Sequence, residues 1–402
     1  MAALGNKDED PMSQFTLLTG ATGLVGSFLM RDLLSAAEPL AVLARSTAQQ
    51  TAAERIDERL SAWEERWNRK LPRPVCIEGD VNQRHLGMDE ATRRWIGEHC
   101  RRVIHSAAIL KFSGDDQAQD PWRTNVDGTR RVLSLCRETG LRELHYVSTA
   151  YVCGTRAGTI YESQLDLGQS FRNDYERSKY LAEQLVRNDD FLDRPTIYRP
   201  AVIAGDSVTG TTISYHGLFT YLRSLALLAR RIDADASGIR RVPLRLAMNG
   251  DERRNLVPVD WVSRVIHHLV NTPDARGETF HLSPQDATTT RDLYEAAFAY
   301  FDCEGFEFLG NNWNHRDKMT RLERLFLTHS ESYRDYECSD PVFDTTNLRR
   351  HAVHLPCPQL DAAMVRRFCE FGEQDSWGAR TKTPIVLPLT TAQPAAAAAA
   401  PV

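Results

Sequence analysis

None of the eight cysteines pairs with another in a C-x-x-C spacing, which argues against a zinc site. Cys76, Cys100, Cys136, Cys153, Cys303, Cys338, Cys357 and Cys369 are scattered, several within apolar runs. That suits buried free thiols in a reducing, cytoplasmic setting. The twelve histidines form no H-E-x-x-H pattern, and His267-His268 has no acid or cysteine at ligand spacing. No metal is expected. No uncharged apolar run reaches membrane-spanning length; the most apolar stretch, GLFTYLRSLALLA, is broken by Arg223. The opening residues MAALGNKDEDPMSQ lack the basic start and apolar stretch of a secretory leader. There is no basic excess: 49 basic residues face 54 acidic ones, for a net charge of −5. Nucleic acid is therefore not the expected partner. No internal repeat is visible.

What is present is a chain of 402 residues with 42% hydrophobic content. That supports a full core in one large domain or two smaller ones. Short apolar runs at 14–19, 40–45, 75–80, 102–108, 144–152 and 195–205 read as strands. Helical patterns separate them, including a charged helix over 47–70 and another over 125–140 closed by Gly140. Strands alternating with helices predict an α/β fold: a Rossmann-type, doubly wound parallel sheet. Residues 1–12 read as a flexible N-terminus, and 13–205 as the cofactor-binding domain with a helical insertion at 47–74. Residues 206–375 read as a smaller C-terminal substrate-binding region interleaved with that core. It begins with a flexible-looking loop, GDSVTGTTISYHG. Residues 376–402, rich in Pro and Ala, read as a disordered tail.

The first strand leads into Thr19-Gly20-Ala21-Thr22-Gly23-Leu24-Val25-Gly26. Three glycines three apart, between a strand and a helix, allow a tight turn, close approach to a pyrophosphate and close helix packing. The helix amides and dipole would then hold phosphates. An NAD site wants an acidic residue at the end of the second strand; here Arg45 stands there instead. It would meet a 2′-phosphate, so NADPH is the expected cofactor. Arg31 either assists or is an exposed helix residue. Asp80-Val81 ends the third strand, where an adenine would lie, and the small run Ser106-Ala107-Ala108 ends the fourth.

Tyr175 and Lys179 stand four apart on one helical face. A nearby ammonium and a positive nicotinamide lower a phenol's pKa, so such a tyrosine can give its proton to a carbonyl oxygen. Ser148 and Thr149 end the fifth strand and point to opposite faces. Only one of them can hydrogen-bond a substrate carbonyl.

Together TGATGLVG, HSAA, NVDGT, YVSTAYVCG, YERSKYLAE and YRPAVIAG resemble the extended short-chain dehydrogenase/reductase family across residues 14–205. The resemblance implies Thr149, Tyr175 and Lys179 as the catalytic set and Asn125 as the brace of the active-site helix. It also implies cofactor contacts at Lys179, Pro200 and Val202. LAVLARS, the charged insertion, VSTAYVCG and NLVPVDWV are similar to the thioester reductase and fatty acyl-CoA reductase branch, of the male sterility type. That branch reduces a thioester on coenzyme A or an acyl carrier protein to an aldehyde or alcohol. With no adenylation or carrier domain ahead of it, the chain is expected to act as a free-standing enzyme. Arg230, Arg231, Arg240, Arg241 and Arg245, with Arg55, Arg59, Arg66 and Arg69 on the insertion, form a patch for coenzyme A phosphates or an acidic carrier, or simply a solvated face. Two other functions share these motifs: reduction of a free ketone, alcohol or nucleotide sugar, and non-catalytic NADP(H) sensing.

Overall fold

The computed structural model describes residues 14–114, 116–313 and 318–379. The first half alternates strand and helix: β1 (Phe15–Thr19), α1 (Leu24–Ser35), β2 (Leu40–Ala44), α2 (Ala52–Trp67), β3 (Val75–Glu78), α3 (Glu90–His99), β4 (Cys100–His105), α4 (Gly128–Thr139) and β5 (Glu143–Val147). A two-residue strand β6 (Thr159–Ile160), helix α5 (Asp174–Arg187) and β7 (Thr196–Pro200) follow. Beyond these come β8 (Val202–Ala204), α6 (Leu218–Ala229), β9 (Arg240–Leu246), β10 (Arg253–Arg254), β11 (Leu256–Pro258), α7 (Val259–Val270) and β12 (Thr279–Leu282). The chain continues through β13 (Thr288–Thr289), α8 (Thr290–Tyr300), β14 (Cys303–Phe308), α9 (Arg321–Ser330), β15 (Val342–Phe343), α10 (Thr346–Ala352) and α11 (Ala362–Gln374).

Seven strands form one parallel sheet in the order β12-β7-β5-β4-β1-β2-β3. This is the expected Rossmann arrangement, in which order reverses beside β1 and opens a crevice at the carboxyl edge. Apart from the edge strand β3, these strands are almost wholly buried because both faces are covered, and β2, LAVLA, is apolar throughout. On one face Phe28 and Leu33 of α1 pack with Val262 and Ile266 of α7. On the other Val132 and Cys136 of α4 pack with Leu17, Val103 and Ala182. Each such Leu, Val or Phe stabilises the fold by about 1.5–3 kcal/mol. A third core joins α6, β9, α8 and α11 through Leu222, Val242, Phe298 and Phe368.

The second half departs from the sequence reading in several places. The run at 195–205 is two strands, not one. At Ala201 the chain leaves the main sheet, and β8 pairs with β11. The seventh sheet strand, β12, comes from the short run TFHL inside a stretch that has little periodicity. The expected strand at 144–152 stops at Val147, because Ala150–Cys153 turn and Gly154 takes a positive φ of 58°. The 206–217 loop is anchored rather than loose. Asp206 takes the amides of Val208 and Thr209, Asp260 takes Ser207, and Arg66 of α2 donates to Thr211. Arg31 is neither exposed nor free. Its guanidinium lies 4.5 Å from the Phe28 ring and 4.9 Å from the Trp63 ring, and its Nε donates to Asp32 at 2.6 Å. Order also runs past 375: Trp377 is buried and donates from Nε1 to Glu373 Oε1 at 2.7 Å. The expected flexible N-terminus, 1–12, and the tail from 380 lie outside the described residues.

Candidate active site

The turn after β1 is shaped by steric exclusion. Gly20 has φ 78°, and a Cβ there would sit 2.6 Å from the Ala107 amide nitrogen. A Cβ on Gly26 would lie 2.1 Å from the Gly20 carbonyl oxygen. Only glycine fits either place. Gly23 caps α1 without any side-chain hydrogen bond, which leaves the first amides of that helix available. Behind the turn Thr19 Oγ1 meets His105 Nδ1 at 2.7 Å, and His105 Nε2 meets Thr129 Oγ1 at 3.0 Å. Burial, and then the charge of Lys179, hold His105 down at about 3, so it is neutral.

Asn125 stands in a single π turn at 123–127 ahead of α4. Its Oδ1 accepts from the Ile109 amide at 2.9 Å, and its Nδ2 donates to the Ile109 carbonyl and to Ser178 Oγ at 2.9 Å. It thus ties the loop after β4 to α5. Helix α5 carries Tyr175 and Lys179 and is capped by Asn173. At the end of β5 the two hydroxyls part as alternation requires. Ser148 Oγ donates to Glu183 Oε2 at 2.6 Å, while the Thr149 hydroxyl hydrogen-bonds Tyr175. Glu183 is fully buried and meets Arg199 Nη2 at 2.7 Å. Burial pushes Glu183 up, but Arg199 and its other donors outweigh it and hold the carboxyl at about 2.

The electrostatics of the pair differ from the sequence expectation. Burial pushes the Tyr175 phenol up to about 12, against the pull of its Thr149 hydrogen bond. Lys179 does not offset this. Its Nζ donates to Tyr146 Oη at 2.8 Å and to the Val147 carbonyl at 2.7 Å. Burial lowers its own pKa to about 7, against the opposing charge of Glu183. Tyr146 was not singled out by sequence; an aromatic inside a buried strand gives no sign of holding a lysine.

These residues line one cavity of about 600 Å³. Thr22, Gly23, Leu24, Val25, Gly26, Ser106, Ala108, Thr149, Tyr175, Lys179, Pro200 and Val202 all face it. Gly20, Ala107 and Asn125 stand behind it as supports. Asp80 and Val81 lie just past β3, and the Asp80 carboxylate is 3.8 Å from the largely exposed Arg45 guanidinium. Two more arginines gather here from α2. Arg55 donates to the Arg45 carbonyl at 2.5 Å and to Thr22 Oγ1 at 3.5 Å. Arg59 lines the cavity itself. Burial, then the charges of Arg45 and Arg59, lower the Arg55 pKa. Such a like-charge group asks for an anion. Spacing four apart on the insertion helix, just after Arg45, was the signal for it. Much of the rest of the arginine patch is engaged internally: Arg230 with Glu373, Arg245 with Glu323, Arg241 with Asp235, and Arg240 with the Phe301 carbonyl. His267 pairs with Glu38 at 2.6 Å, and no metal-holding cluster exists among the described residues. All eight cysteines are free, five of them buried. No described helix is long and apolar enough to cross a membrane.

The family model described as male sterility protein matches residues 18–266, more than half of the chain. The chain belongs to this family. It lies in the thioester reductase branch of the extended short-chain dehydrogenases, a family of nicotinamide-binding reductases. It is similar to a linear gramicidin synthase protein of Brevibacillus parabrevis, 29% identical over 74% of this chain and 6% of that protein. It is also similar to the aldehyde reductase lnaA of Aspergillus flavus, 26% identical over 92% of this chain and 37% of that one. The chain thus spans well under half of either relative. Among solved structures it resembles the terminal R domain of the myxalamid PKS-NRPS pathway, with a TM-score of 0.72 and 25% identity over 92% of this chain and 93% of that one.

Proposed function

We propose that the protein is an NADPH-dependent reductase of an acyl thioester, carried on coenzyme A or on an acyl carrier protein. The observation that carries this reading is the single cavity that runs from the glycine turn, past Thr149, Tyr175 and Lys179, into an apolar end walled by Leu222, Leu225, Leu293 and Phe326. One void lets a dinucleotide and a long acyl arm meet at one phenol. The glycine turn and the unoccupied first amides of α1 suit a pyrophosphate. Arg45, Arg55 and Arg59 suit a 2′-phosphate and account for the absence of an acid after β2. Residues 13–205 then hold the cofactor, and 206–375 form most of the substrate arm.

When bound and reduced, the nicotinamide supplies the hydride. The rest is the work of this chain. The Thr149 hydroxyl and the Tyr175 phenol hold the oxygen of the thioester carbonyl as it gains charge. Tyr175, protonated at neutral pH, gives that oxygen its proton. Lys179 has spent two of its three N–H bonds on Tyr146 and Val147, and the third is free to hold the nicotinamide ribose. Asn125 keeps α5 in register with the loop at 106–110. Collapse of the tetrahedral adduct expels thiol and leaves an aldehyde.

NADPH consumption followed against acyl-CoA thioesters, the matching pantetheine thioesters, free ketones and aldehydes, with NADH as control, tests the reading. Thioester-dependent oxidation of NADPH is expected. Activity confined to free ketones or sugars would overturn it.

A further inference from the structure

Behind Lys179 stand four buried polar side chains, Thr19, His105, Thr129 and Tyr146, none of which lines the cavity. A buried polar hydrogen needs an acceptor, and the contacts here leave one arrangement. The Thr129 hydroxyl donates to the Asn125 carbonyl at 2.6 Å. Its only hydrogen is thereby spent, so Thr129 accepts from its other neighbours. His105 Nε2, 3.0 Å away, must carry the ring hydrogen, and His105 Nδ1 then accepts from the Thr19 hydroxyl at 2.7 Å. The Thr19 oxygen in turn accepts from the Ala107 amide at 3.3 Å. Tyr146 also hydrogen-bonds Thr129 and must give it the phenol hydrogen. The Tyr146 oxygen thus turns only lone pairs toward Lys179, whose Nζ donates to it at 2.8 Å and lies 4.3 Å from the ring centroid.

This order of hydrogens has one source, the bond from Thr129 to the Asn125 carbonyl. Without Thr129 the Tyr146 hydrogen loses its acceptor, and the polar atom left beside it is Lys179 Nζ. A phenol hydrogen turned toward Nζ repels an ammonium and suits a neutral amine. The titratable and charged groups that face Lys179 are His105 on β4, Tyr146 on β5, and Tyr175 and Glu183 on its own helix. His105 is neutral, burial keeps both phenols protonated, and Glu183 is shared with Arg199 of β7. Burial already brings Lys179 down to about 7, against the charge of Glu183. One hydrogen bond therefore decides how much of this lysine is charged at neutral pH.

We propose that Thr129 is a positioning residue: acting through Tyr146, it fixes the direction of hydrogen bonding at Lys179 and so keeps that lysine a charged donor to the nicotinamide ribose. This deepens the thioester reductase reading and rests on it. Asn125 then serves two ends. Its side chain braces α5 through Ile109 and Ser178, and its carbonyl sets the direction of Thr129.

The test follows Lys179 directly, by carbon NMR of the full chain labelled at the lysine ε carbon. The chain has only six lysines, and Lys179→Met identifies the signal. The pH at which it titrates is measured in wild type, Thr129→Val, Thr129→Ser, Tyr146→Phe and the Thr129→Val, Tyr146→Phe double variant. The pH profile of kcat/KM for a pantetheine thioester with NADPH is recorded beside it. Thr129→Val keeps the shape and loses the hydroxyl. Its Lys179 acid constant should rise about tenfold, as loss of one hydrogen bond to a charged group implies, and the alkaline limb should move to lower pH by the same factor. Thr129→Ser should match wild type. On top of Tyr146→Phe, Thr129→Val should add less than about twofold, because it acts through that phenol. An unmoved Lys179 titration in Thr129→Val, or an effect that persists undiminished in Tyr146→Phe, overturns the proposal. If Thr129→Val does not fold, Thr129→Ala repeats the comparison. A shifted titration in a chain that turns over no thioester supports the positioning role while sinking the reductase reading. An unmoved titration in a chain that does turn it over overturns the role alone.

Discussion

Replacing Glu183 by Gln tests whether a buried ion pair holds helix α5 in place. Glu183 lies one turn beyond Lys179 on α5, is fully buried, and accepts from Ser148 Oγ, Arg187 Nε and Arg199 Nη2 at 2.6–2.8 Å. Its amide replacement leaves the Arg199 guanidinium buried and uncompensated. Breaking such a pair costs about 3–5 kcal/mol. The pKa gives a consistent figure. The carboxyl falls from 4.5 to about 2 on folding, and at 1.36 kcal/mol per tenfold change that is about 3 kcal/mol. Because the folded pKa is the lower one, this stability is present above about pH 4.5 and is lost as pH falls toward 2. Thermal unfolding should therefore show the variant melting about 4–6 °C lower at pH 7. The gap should narrow steadily below pH 4.5, where the wild-type carboxyl takes up its proton. Adding Arg199→Met to Glu183→Gln should recover much of the loss. A gap under about 1 kcal/mol at pH 7, or one that stays constant down to pH 2.5, would refute the reasoning.

Three further outcomes are expected. Tyr175→Phe should lower kcat/KM by about a hundredfold or more, as loss of a general acid does, with the NADPH Kd from fluorescence titration changed less than about threefold. Joint replacement of Arg55 and Arg59 by Ala should weaken NADPH about tenfold or more but NADH far less; equal losses for both would show that the two arginines do not read a 2′-phosphate. Tyr146→Phe removes an acceptor from the Lys179 ammonium, whose pKa of about 7 should fall further. The alkaline limb of kcat/KM should then move to lower pH, and an unmoved limb would show that Tyr146 only fills space.

The half of the chain read as cofactor-binding was legible because its demands are local. A glycine turn must follow a strand directly, and Tyr175 and Lys179 must share one helical face. The alternation of Ser148 and Thr149 left one hydroxyl for the site, and Ser148 is the one turned away, toward Glu183. Asn125 came from motif likeness, and its bonds to Ile109 and Ser178 give it a physical reason. The rest was hidden by distance along the chain. Leu222, Leu293 and Phe326 wall one cavity from three separate helices, α6, α8 and α9, and no pattern in the sequence joins them. Arg31 looked like an ordinary helix residue because its aromatic neighbours Trp63 and Trp67 lie on a helix more than thirty positions away. Strand β12 has only four residues, too few to show a period. The Tyr175 phenol went the other way from the simple expectation: desolvation outweighed the neighbouring ammonium, which faces Tyr146 instead.

The break at Ala201, between β7 and β8, bears on how such a protein can be rebuilt. After β7 the polypeptide leaves the main sheet through β8, returns to it through β11, α7 and β12, leaves again, and comes back beside it through β15 and α10 before α11 closes the third core. A cut at 205 would strip β7 of its neighbour β12 and expose the face of α1 that α7 covers. The segments 205–255 and 283–341 behave instead as inserts whose ends are fixed by strand pairing. Exchanging both together between relatives, with α11 carried along, should transplant the acyl pocket and leave the dinucleotide half undisturbed. Chimaeras with one junction would fail in folding before they could report on specificity.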